Sequence, residues 1–163
     1  MSAKKRIIKF DNIESDTINL TGDIICFKSV DFVDAFISIL STSQLPKNND
    51  LNAEFLFQWM KEKDKNKIMY LKLDGNDNVA CFAILHKTDF DQYNTQKNPH
   101  VLDYIYTYKH YRNNKHAQSL INEIKKHYEF TAFCDNVISV RAFGRCDIKL
   151  YDIKNGLTLA RTN

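Results

Sequence analysis

The sequence is poor in residues that interrupt secondary structure, with four glycines and two prolines among its 163 residues. Clusters of Gly and Pro mark linkers and turns, and no stretch of this chain has the composition of a linker between domains. A chain of this length is large enough to bury a real core. We therefore expect one domain over residues 1–163.

Cysteine pairs of the kind that bind zinc or carry redox chemistry are also missing. Cys26, Cys81, Cys134 and Cys146 are far apart and form no CxxC motif, which argues against a zinc site or a redox motif. The first three lie in apolar, strand-like surroundings. We expect buried free thiols, which are typical of intracellular proteins.

Long hydrophobic runs are absent as well. No apolar run approaches the roughly 18 residues that span a bilayer, and the N-terminal stretch MSAKKRIIKF lacks the apolar segment of a signal peptide. These observations predict a cytoplasmic protein without a membrane partner.

Charge of one sign is not in excess. The chain has 23 Lys and Arg against 20 Asp and Glu, a net charge of +3, which gives no general case for binding nucleic acid or membranes. An anionic partner would therefore be recognised locally. Hydrophobic residues make up 44% of the chain, which excludes wholesale disorder.

The first half predicts one strand, two helices and a hairpin. The strand lies near residues 23–27, and Ser29 caps a helix with apolar residues at i, i+3, i+4 and i+7 from Val33 to Leu40. A second helix is predicted over 52–63. Strands over 67–73 and 78–87 are separated by the sequence DGND, which is typical of a hairpin turn.

The second half alternates strands and helices. Its predicted elements are a strand over 100–108, a helix over 115–128, a strand over 130–134, a short helix over 136–145 and a last strand over 146–153. Strand, helix, strand order indicates a parallel crossover. The nearly continuous apolar run of 78–87 predicts a strand in the middle of the sheet. We predict an α/β fold with a mixed central sheet flanked by helices.

Two partial motifs within residues 101–148 resemble those of the GCN5-related N-acetyltransferase (GNAT) superfamily. LDYIYT (102–107) and YRNNKHA (111–117) are similar to the family's strand and to its Tyr-Arg-x-x-Gly-x-Gly/Ala helix start. NVISVRAFGRCDI (136–148) is similar to the family's Asn-x-x-Ala-x-x-Phe/Leu-Tyr-x-Lys-x-Gly-Phe. The resemblance is to a divergent member, and it implies a GNAT-like acyl-CoA N-acyltransferase fold.

The resemblance also implies acetyl-CoA as co-substrate, with no metal. Free N–H groups at a helix N-terminus suit an anion, so residues 112–117 would hold the pyrophosphate. Arg112 would add charge, and the small Ala117 would let the helix approach the ligand. The pantetheine arm would run along the strand before the turn. The implied cofactor-binding residues are Ile105, Tyr106, Thr107, Tyr108, Arg112, Asn113, Asn114, Lys115, His116, Ala117, Asn136 and Phe143.

Three of these positions carry alternatives. Lys115 replaces the first motif glycine; its side chain restricts φ, while its ammonium would bind a phosphate as a point charge. Asn136 fits either a pantetheine contact or a helix N-cap, and the two roles are compatible. Phe143 stands where a tyrosine often protonates the leaving thiolate, and it has no proton to donate. Substitutes left open are Tyr104, Tyr106, Tyr108, Cys134 and solvent.

Asp103 is the candidate catalytic residue. An ammonium has no lone pair, so the acceptor amine must lose a proton before it attacks a thioester. Asp103 falls where many family members have a glutamate, and its shorter side chain favours a relay through water. The alternative is an aspartate at the strand end that is exposed to solvent or caps the loop at Pro99.

The leading functional hypothesis is transfer of acetyl from acetyl-CoA to a primary amine by direct attack on the thioester. The acceptor would be a polyamine, another small amine or a protein amine. In this family it is selected by early helices and loops, here 29–63 and 88–99. Asp89, Asp91 and Asp103 would attract a cationic amine, and the alternative is that they are ordinary scattered surface acids. A homodimer is left open.

Two other hypotheses differ in class. The first is a catalytically degenerate module that keeps the fold for binding or regulation. The second is a nucleic-acid surface formed by the basic and aromatic residues 109–116 together with residues 4–6. The small net charge argues against more than a weak interaction of that kind.

Overall fold

The computed structural model describes residues 3–8, 13–19, 23–27, 53–62, 66–75, 79–91, 93–134, 137–152 and 156–162. In this part of the chain the strands are β1 Ala3–Ile8, β2 Ile13–Asn19, β3 Ile24–Phe27, β4 Lys67–Leu73, β5 Val79–Lys87, β6 Pro99–Thr107, β7 Glu129–Cys134, β8 Lys149–Asp152 and β9 Thr158–Arg161. The helices are α1 Ala53–Lys61, α2 His116–His127 and α3 Val137–Gly144, and a 3₁₀ turn covers Lys109–Tyr111.

The strands form one mixed sheet in the order β1-β2-β3-β4-β5-β6-β7-β9-β8. Neighbours from β1 to β6 are antiparallel. The pairing of β6 with β7 is parallel, and the chain between them forms α2. The predicted mixed α/β architecture with a parallel crossover is therefore confirmed.

Two parts of the predicted element order are wrong. The chain does not open with the strand near 23–27, because the hairpin of β1 and β2 precedes it. The strand predicted over 146–153 is not the last one, because β9 follows it and lies between β7 and β8. The helix predicted after Ser29 lies outside the described residues.

The core occupies both faces of the sheet because side chains alternate along its strands. On one face, apolar residues of the central strands pack with α2 and α3 through Leu120, Ile121, Ile124 and Phe143. On the other face, they pack with α1 through Leu56 and Trp59. Residues 80–85 of β5 are all buried, which confirms a central strand covered on both sides.

The four cysteines are buried free thiols, as expected. Among the helices that the structure describes, none has the length and apolar character needed to cross a membrane.

A buried ion pair attaches the loop before β6 to β9. Arg161 Nη2 lies 2.6 Å from Asp91 Oδ1, and both side chains are almost fully buried. Burial alone would raise the pKa of Asp91, but hydrogen bonds from the backbone of Gln96, Thr95 and Tyr93 and from Arg161 lower this pKa to about 2. Asp91 is thus committed to holding the loop and is not an exposed acid available to an amine.

Asp91→Asn should lower the free energy of unfolding at pH 7 by about 3 kcal/mol, since it leaves Arg161 buried without its partner. A carboxylate with a depressed pKa stabilises the fold above its unfolded pKa of about 4, and this contribution disappears as pH falls toward 2. Urea denaturation from pH 7 to pH 2 should therefore show the gap between variant and wild type closing. Asp89→Asn, at an exposed neighbour, is the control; an equal loss in both variants would contradict the ion pair's role.

Candidate active site

A bulge in β6 brings Asp103 onto the face of the sheet that α1 covers. Ile84 of β5 pairs with Tyr104 while Leu85 pairs with Leu102, so Asp103 is an extra residue in β6. A bulge breaks the alternation of side chains between faces. Asp103 contacts Trp59 of α1, and the Tyr104 ring lies 5.6 Å from the Phe55 ring of the same helix. Two successive side chains therefore reach the same helix.

The Asp103 carboxylate is held by two ring nitrogens. Trp59 Nε1 donates a hydrogen bond to Asp103 Oδ2 at 2.8 Å, and His86 Nδ1 lies 2.5 Å from the same oxygen. The side chains of His86 and Asp103 are 17% and 11% exposed. Asp103 is therefore neither the solvent-exposed aspartate nor the loop cap that the alternative interpretation required.

A buried cation lies next to this group. Lys67 of β4 is directly opposite His86 of β5 and is buried. Its Nζ is 5.4 Å from the centre of the Trp59 ring, a distance at which a cation is attracted to the face of the ring. The site thus combines a carboxylate, an imidazole, an indole and an ammonium under α1.

The sheet opens beside this group, between β6 and β7. In the described part of both strands, the parallel pairing covers only Pro99–Val101 of β6 and residues 129–131 of β7. Both strands continue beyond it, β6 to Thr107 and β7 to Cys134. Backbone groups on the facing edges are therefore not paired with each other past Val101. The two strands therefore diverge beyond this point.

Tyrosines on β6 form a ladder on the α1 face. The rings of Tyr104 and Tyr106 are 6.2 Å apart, those of Tyr106 and Tyr108 are 5.3 Å apart, and all three lie close to Phe82. Within the described residues the Tyr108 hydroxyl is buried and has no hydrogen-bond partner. Burial is the main cause that raises the pKa of Tyr108, so this phenol keeps its proton at neutral pH.

The other residues that the sequence singled out on β6 lie on the opposite face. Ile105 packs against the core below α2, and Thr107 Oγ1 donates a hydrogen bond to Cys81 Sγ at 3.3 Å. Cys134, a sequence candidate for the proton donor, is buried in that same core. The structure thus separates the candidate donors, with three tyrosines on the α1 face and the cysteine on the α2 face.

The turn after β6 adopts left-handed backbone conformations without glycine. Asn113 has a φ of 66° and Lys115 a φ of 63°. Lys115 is the residue that precedes α2, and its side chain makes no capping hydrogen bond. The first N–H groups of a helix have no partner within the helix, so those of His116 and Ala117 point toward the turn. Lys115 thus takes a conformation that a glycine would adopt without strain.

Contacts on both sides fix the shape of this turn. Arg112 Nε donates a hydrogen bond to the Thr107 carbonyl at 3.0 Å, and its guanidinium carbon lies 5.5 Å from the Tyr106 ring centre. The Tyr111 hydroxyl donates to Asp74 at 2.7 Å. Half-buried His116 has a lowered pKa, mainly because of burial and then because of Lys72, so its ring is neutral at pH 7. Arg112 is therefore an exposed cation whose side chain is held against the end of β6.

Two of the remaining sequence candidates lie on the α2 face of the sheet. Ala117 packs against the core below α2, and Phe143 is buried with its ring 6.2 Å from that of Phe130. Asn114 donates to the Tyr111 carbonyl within the turn at 3.4 Å. Asn136 lies outside the described residues. A role for any of them in cofactor binding stays a prediction.

Sequence reasoning missed His86. It is the first polar residue after the apolar run VACFAIL of β5, and alternation places it on the face of Phe82 and Ile84. That pattern was available in the sequence. Its contact with Asp103 was not, because the contact depends on the register of β5 with β6 and on the bulge. Across the described chain, no group of three His, Cys, Asp or Glu residues is arranged to hold a metal ion.

Lys115→Gly should raise the free energy of unfolding by about 0.5–1 kcal/mol, because it relieves a left-handed non-glycine residue while adding some freedom to the unfolded chain. Lys115→Ala keeps the Cβ atom and should remain close to wild type. Chemical denaturation of the three proteins measures the difference. A Gly variant less stable than the Ala variant would contradict strain at this position.

Comparisons with known proteins place the fold. The sequence matches no family model, and it matches no curated protein. Among solved structures it resembles Tetrahymena GCN5, with a TM-score of 0.52 and 14% identity over 83% of this chain and 89% of that chain. It also resembles the Campylobacter jejuni N-acetyltransferase PseH in complex with acetyl coenzyme A, with a TM-score of 0.52 and 14% identity over 85% and 96% of the two chains.

A third structure agrees with these two. Arabidopsis thaliana Naa50 in complex with the bisubstrate analogue CoA-Ac-MVNAL has a TM-score of 0.51 and 10% identity over 86% of this chain and 97% of that chain. Identities of this size show a common fold and no more. The fold expected from the sequence motifs is confirmed: this chain has the fold of the GCN5-related N-acetyltransferases.

Proposed function

We propose that this chain is an acetyl-CoA-dependent N-acetyltransferase acting on a primary amine. The observation that carries the proposal is the opening between β6 and β7 past Val101. The largely buried carboxylate of Asp103 lies where this opening begins, and the N-terminus of α2 lies beyond the end of β6. Two solved structures with this fold contain acetyl coenzyme A or a coenzyme A bisubstrate analogue. These features together support one site for a thioester and an amine, within a single domain over residues 1–163.

The pyrophosphate of the co-substrate is assigned to the turn over residues 112–117. Free N–H groups and the positive end of the helix dipole at His116 favour an anion there. The exposed Arg112 guanidinium adds charge, and its Nε contact with Thr107 orients it. The Lys115 ammonium adds a second positive charge. We therefore assign phosphate binding to backbone amides assisted by two cations.

The pantetheine arm is assigned to the edge of β6 that faces the opening past Val101. This arm carries amide groups that pair with extended backbone in the way a strand does. Ile105–Tyr108 is the part of the chain that lies past the end of the β6–β7 pairing and before the turn. The arm would thus lead from the phosphates at Arg112 back toward Asp103.

The chemistry assigned to this site is direct acyl transfer. The amine nitrogen forms a bond with the thioester carbonyl carbon, the carbon–sulfur bond breaks, and the products are an amide and coenzyme A. The amine must first lose a proton, and the polar group around Asp103 lies where the acetyl end of the arm would arrive. The acceptor is a polyamine, another small amine or a protein amine.

The degenerate binding module is the second candidate, and Phe143 favours it. Phe143 replaces the tyrosine of the motif and is buried against Phe130, so this position supplies no proton to the leaving thiolate. The remaining donors are solvent and the tyrosines of the α1 face, which are Tyr104, Tyr106 and the buried Tyr108. A module of this kind would bind acetyl-CoA without turning it over.

Calorimetry with acetyl-CoA and an assay of free thiol release separate these candidates. The assay uses spermidine, a small monoamine and a lysine-containing peptide with a free N-terminus as acceptors. Binding with amine-dependent thiol release is the expected result. Binding without release with any of the three amines would favour the module, and absence of acetyl-CoA binding would overturn both.

Arg112→Ala should raise the Kd for acetyl-CoA about tenfold, because a charge-assisted contact with a phosphate is lost. Lys126→Ala removes the same formal charge from the last turn of α2, where Lys126 is exposed, and should change the Kd less than twofold. Calorimetry at one fixed salt concentration measures both. Equal increases in Kd for the two variants would show that overall charge determines the affinity for acetyl-CoA, and would contradict a specific contact of Arg112 with a phosphate.

Lys115→Ala tests the ammonium of the turn separately from its backbone. If this ammonium binds a phosphate, the Kd for acetyl-CoA rises severalfold in both Lys115→Ala and Lys115→Gly. If the backbone amides carry the binding, Lys115→Ala leaves the Kd unchanged. The same calorimetric titration measures both variants. It shows whether the Lys115 ammonium or the backbone amides bind the phosphate in this turn.

A further inference from the structure

The pairing of His86 with Asp103 points to a residue that the sequence motifs do not identify. We propose that His86 Nε2 takes the proton from the acceptor amine, and that Asp103 is a positioning residue that fixes the His86 ring. This inference rests on the proposed acetyl transfer and deepens it. It replaces direct proton transfer to Asp103 by transfer to its neighbour on β5.

The hydrogen bonds of Asp103 define the tautomer of His86. An ionised carboxylate only accepts hydrogen bonds, and an indole N–H only donates. Asp103 Oδ2 accepts from Trp59 Nε1, and it lies 2.5 Å from His86 Nδ1. His86 Nδ1 must then carry the hydrogen in this contact. In a neutral imidazole the other nitrogen, Nε2, therefore holds a lone pair that can accept a proton.

Asp103 itself is poorly placed to take the proton. Its Oδ2 atom already faces two donors, Trp59 Nε1 and His86 Nδ1, and its side chain is only 11% exposed. Protonating that oxygen would break at least one hydrogen bond in a buried setting, which is costly. His86 is 17% exposed, and in the described part of the chain the contacts of its ring nitrogens involve Nδ1. Nε2 is the basic atom that this group offers to a ligand.

The arrangement matches the general rule for an activated base. A base is effective when a third group orients it and stabilises its charged form. Asp103 does both for His86, because its carboxylate holds Nδ1–H and lies beside the imidazolium that forms. Trp59 in turn holds the carboxylate. The three side chains come from α1, β5 and β6, so the fold as a whole fixes the imidazole.

His86 also lies at the level where the sheet opens. It pairs with Val101, which is the last β6 residue paired with β7. Its side chain is on the α1 face, beside the start of the aromatic ladder at Tyr104. An amine that reaches a thioester in the opening from the α1 side would therefore approach the position of His86.

The groups around His86 come from three elements, and two of them are charged. Asp103 faces it from β6 and Lys67 lies opposite it on β4, while the uncharged Trp59 of α1 donates to the carboxylate and has the Lys67 ammonium 5.4 Å from its ring centre. His100 is on the other face of β6, with its ring 4.6 Å from that of Tyr128. The pKa of His100 is lowered mainly by burial, so it is neutral at pH 7.

The proton transfers balance as follows. One proton moves from the ammonium of the acceptor to His86 Nε2, which returns it to solvent. The neutral amine attacks the carbonyl carbon, the carbon–sulfur bond breaks, and sulfur leaves as a thiolate. The nitrogen loses its second proton, and the thiolate gains one through solvent or a nearby hydroxyl. The net products are an amide, coenzyme A thiol and one proton in solution.

His86→Gln should lower kcat at pH 7 about 100-fold, in the range typical of a lost general base. The Kd of acetyl-CoA should change less than twofold, because His86 lies away from the turn over residues 112–117. The deficit should shrink as pH rises, since a growing fraction of the amine is then neutral without help. His127→Gln, at a histidine in the last turn of α2 that contacts Glu123, is the control and should keep the wild-type rate.

Asp103→Asn tests the positioning role. An amide can present N–H to His86 Nδ1 and so favour the tautomer with its hydrogen on Nε2, which cannot accept a proton. The variant should lose kcat with little change in KM for the amine, and nitrogen-15 NMR of the ring should show the tautomer change. In the wild type, the same spectrum of the neutral ring should show hydrogen on Nδ1 and none on Nε2.

The outcomes separate this inference from the proposed function. A wild-type chain that binds acetyl-CoA and turns it over, with His86→Gln within twofold of its rate at every pH, would overturn the role of His86 and leave acetyl transfer intact. A neutral ring with its hydrogen on Nε2 in the wild type would overturn it without reference to activity. Failure of the wild type to bind acetyl-CoA would instead overturn the proposed function, and with it the role of His86 in acetyl transfer.

Discussion

Two parallel strands that stay paired over only three residues must diverge beyond them, and β6 and β7 do so after Val101. Outside this opening each strand is fixed by another neighbour, β6 by β5 and β7 by β9. The strands on the two sides of the opening are therefore held by their hydrogen bonds with β5 and β9, and not by hydrogen bonds across the opening. Extended backbone with free N–H and C=O groups binds a peptide-like ligand in the way a missing strand would. The turn and α2 follow because the chain must cross from β6 to a parallel neighbour.

The bulge at Asp103 couples this opening to the polar group under α1. Without the extra residue, the alternation along β6 would place Asp103 and Tyr104 on opposite faces. The bulge lets Asp103 meet His86 and Trp59 while Tyr104 still begins the aromatic ladder. A buried carboxylate is tolerated only when its hydrogen bonds are satisfied, and here two ring nitrogens satisfy it.

Local patterns in the sequence account for most of the fold and less of the site. The apolar run of β5 and the helical spacing of α2 predict those elements, because burial imposes these patterns directly. The hairpin of β1 and β2 was missed because β1 carries Lys4, Lys5 and Arg6, charges that suit a strand at the sheet edge and obscure its pattern. β9 was missed because it is four residues long and ends in Arg161, whose burial depends on its contact with the distant Asp91. His86 could not be placed because its role depends on register and on a bulge, which are properties of pairs of strands.

The left-handed conformation of Lys115 indicates what a glycine contributes at this position of the motif. A glycine in the motif suggests that flexibility is what the phosphate site needs, yet this chain keeps the conformation without glycine. Such strain persists only where the surroundings determine it, and here Arg112 is tied to Thr107 and Tyr111 to Asp74. The proposed phosphate site therefore requires a particular backbone shape that directs N–H groups toward the ligand. Glycine is one way to meet it, and a lysine held by its neighbours, which also brings a positive charge, is another.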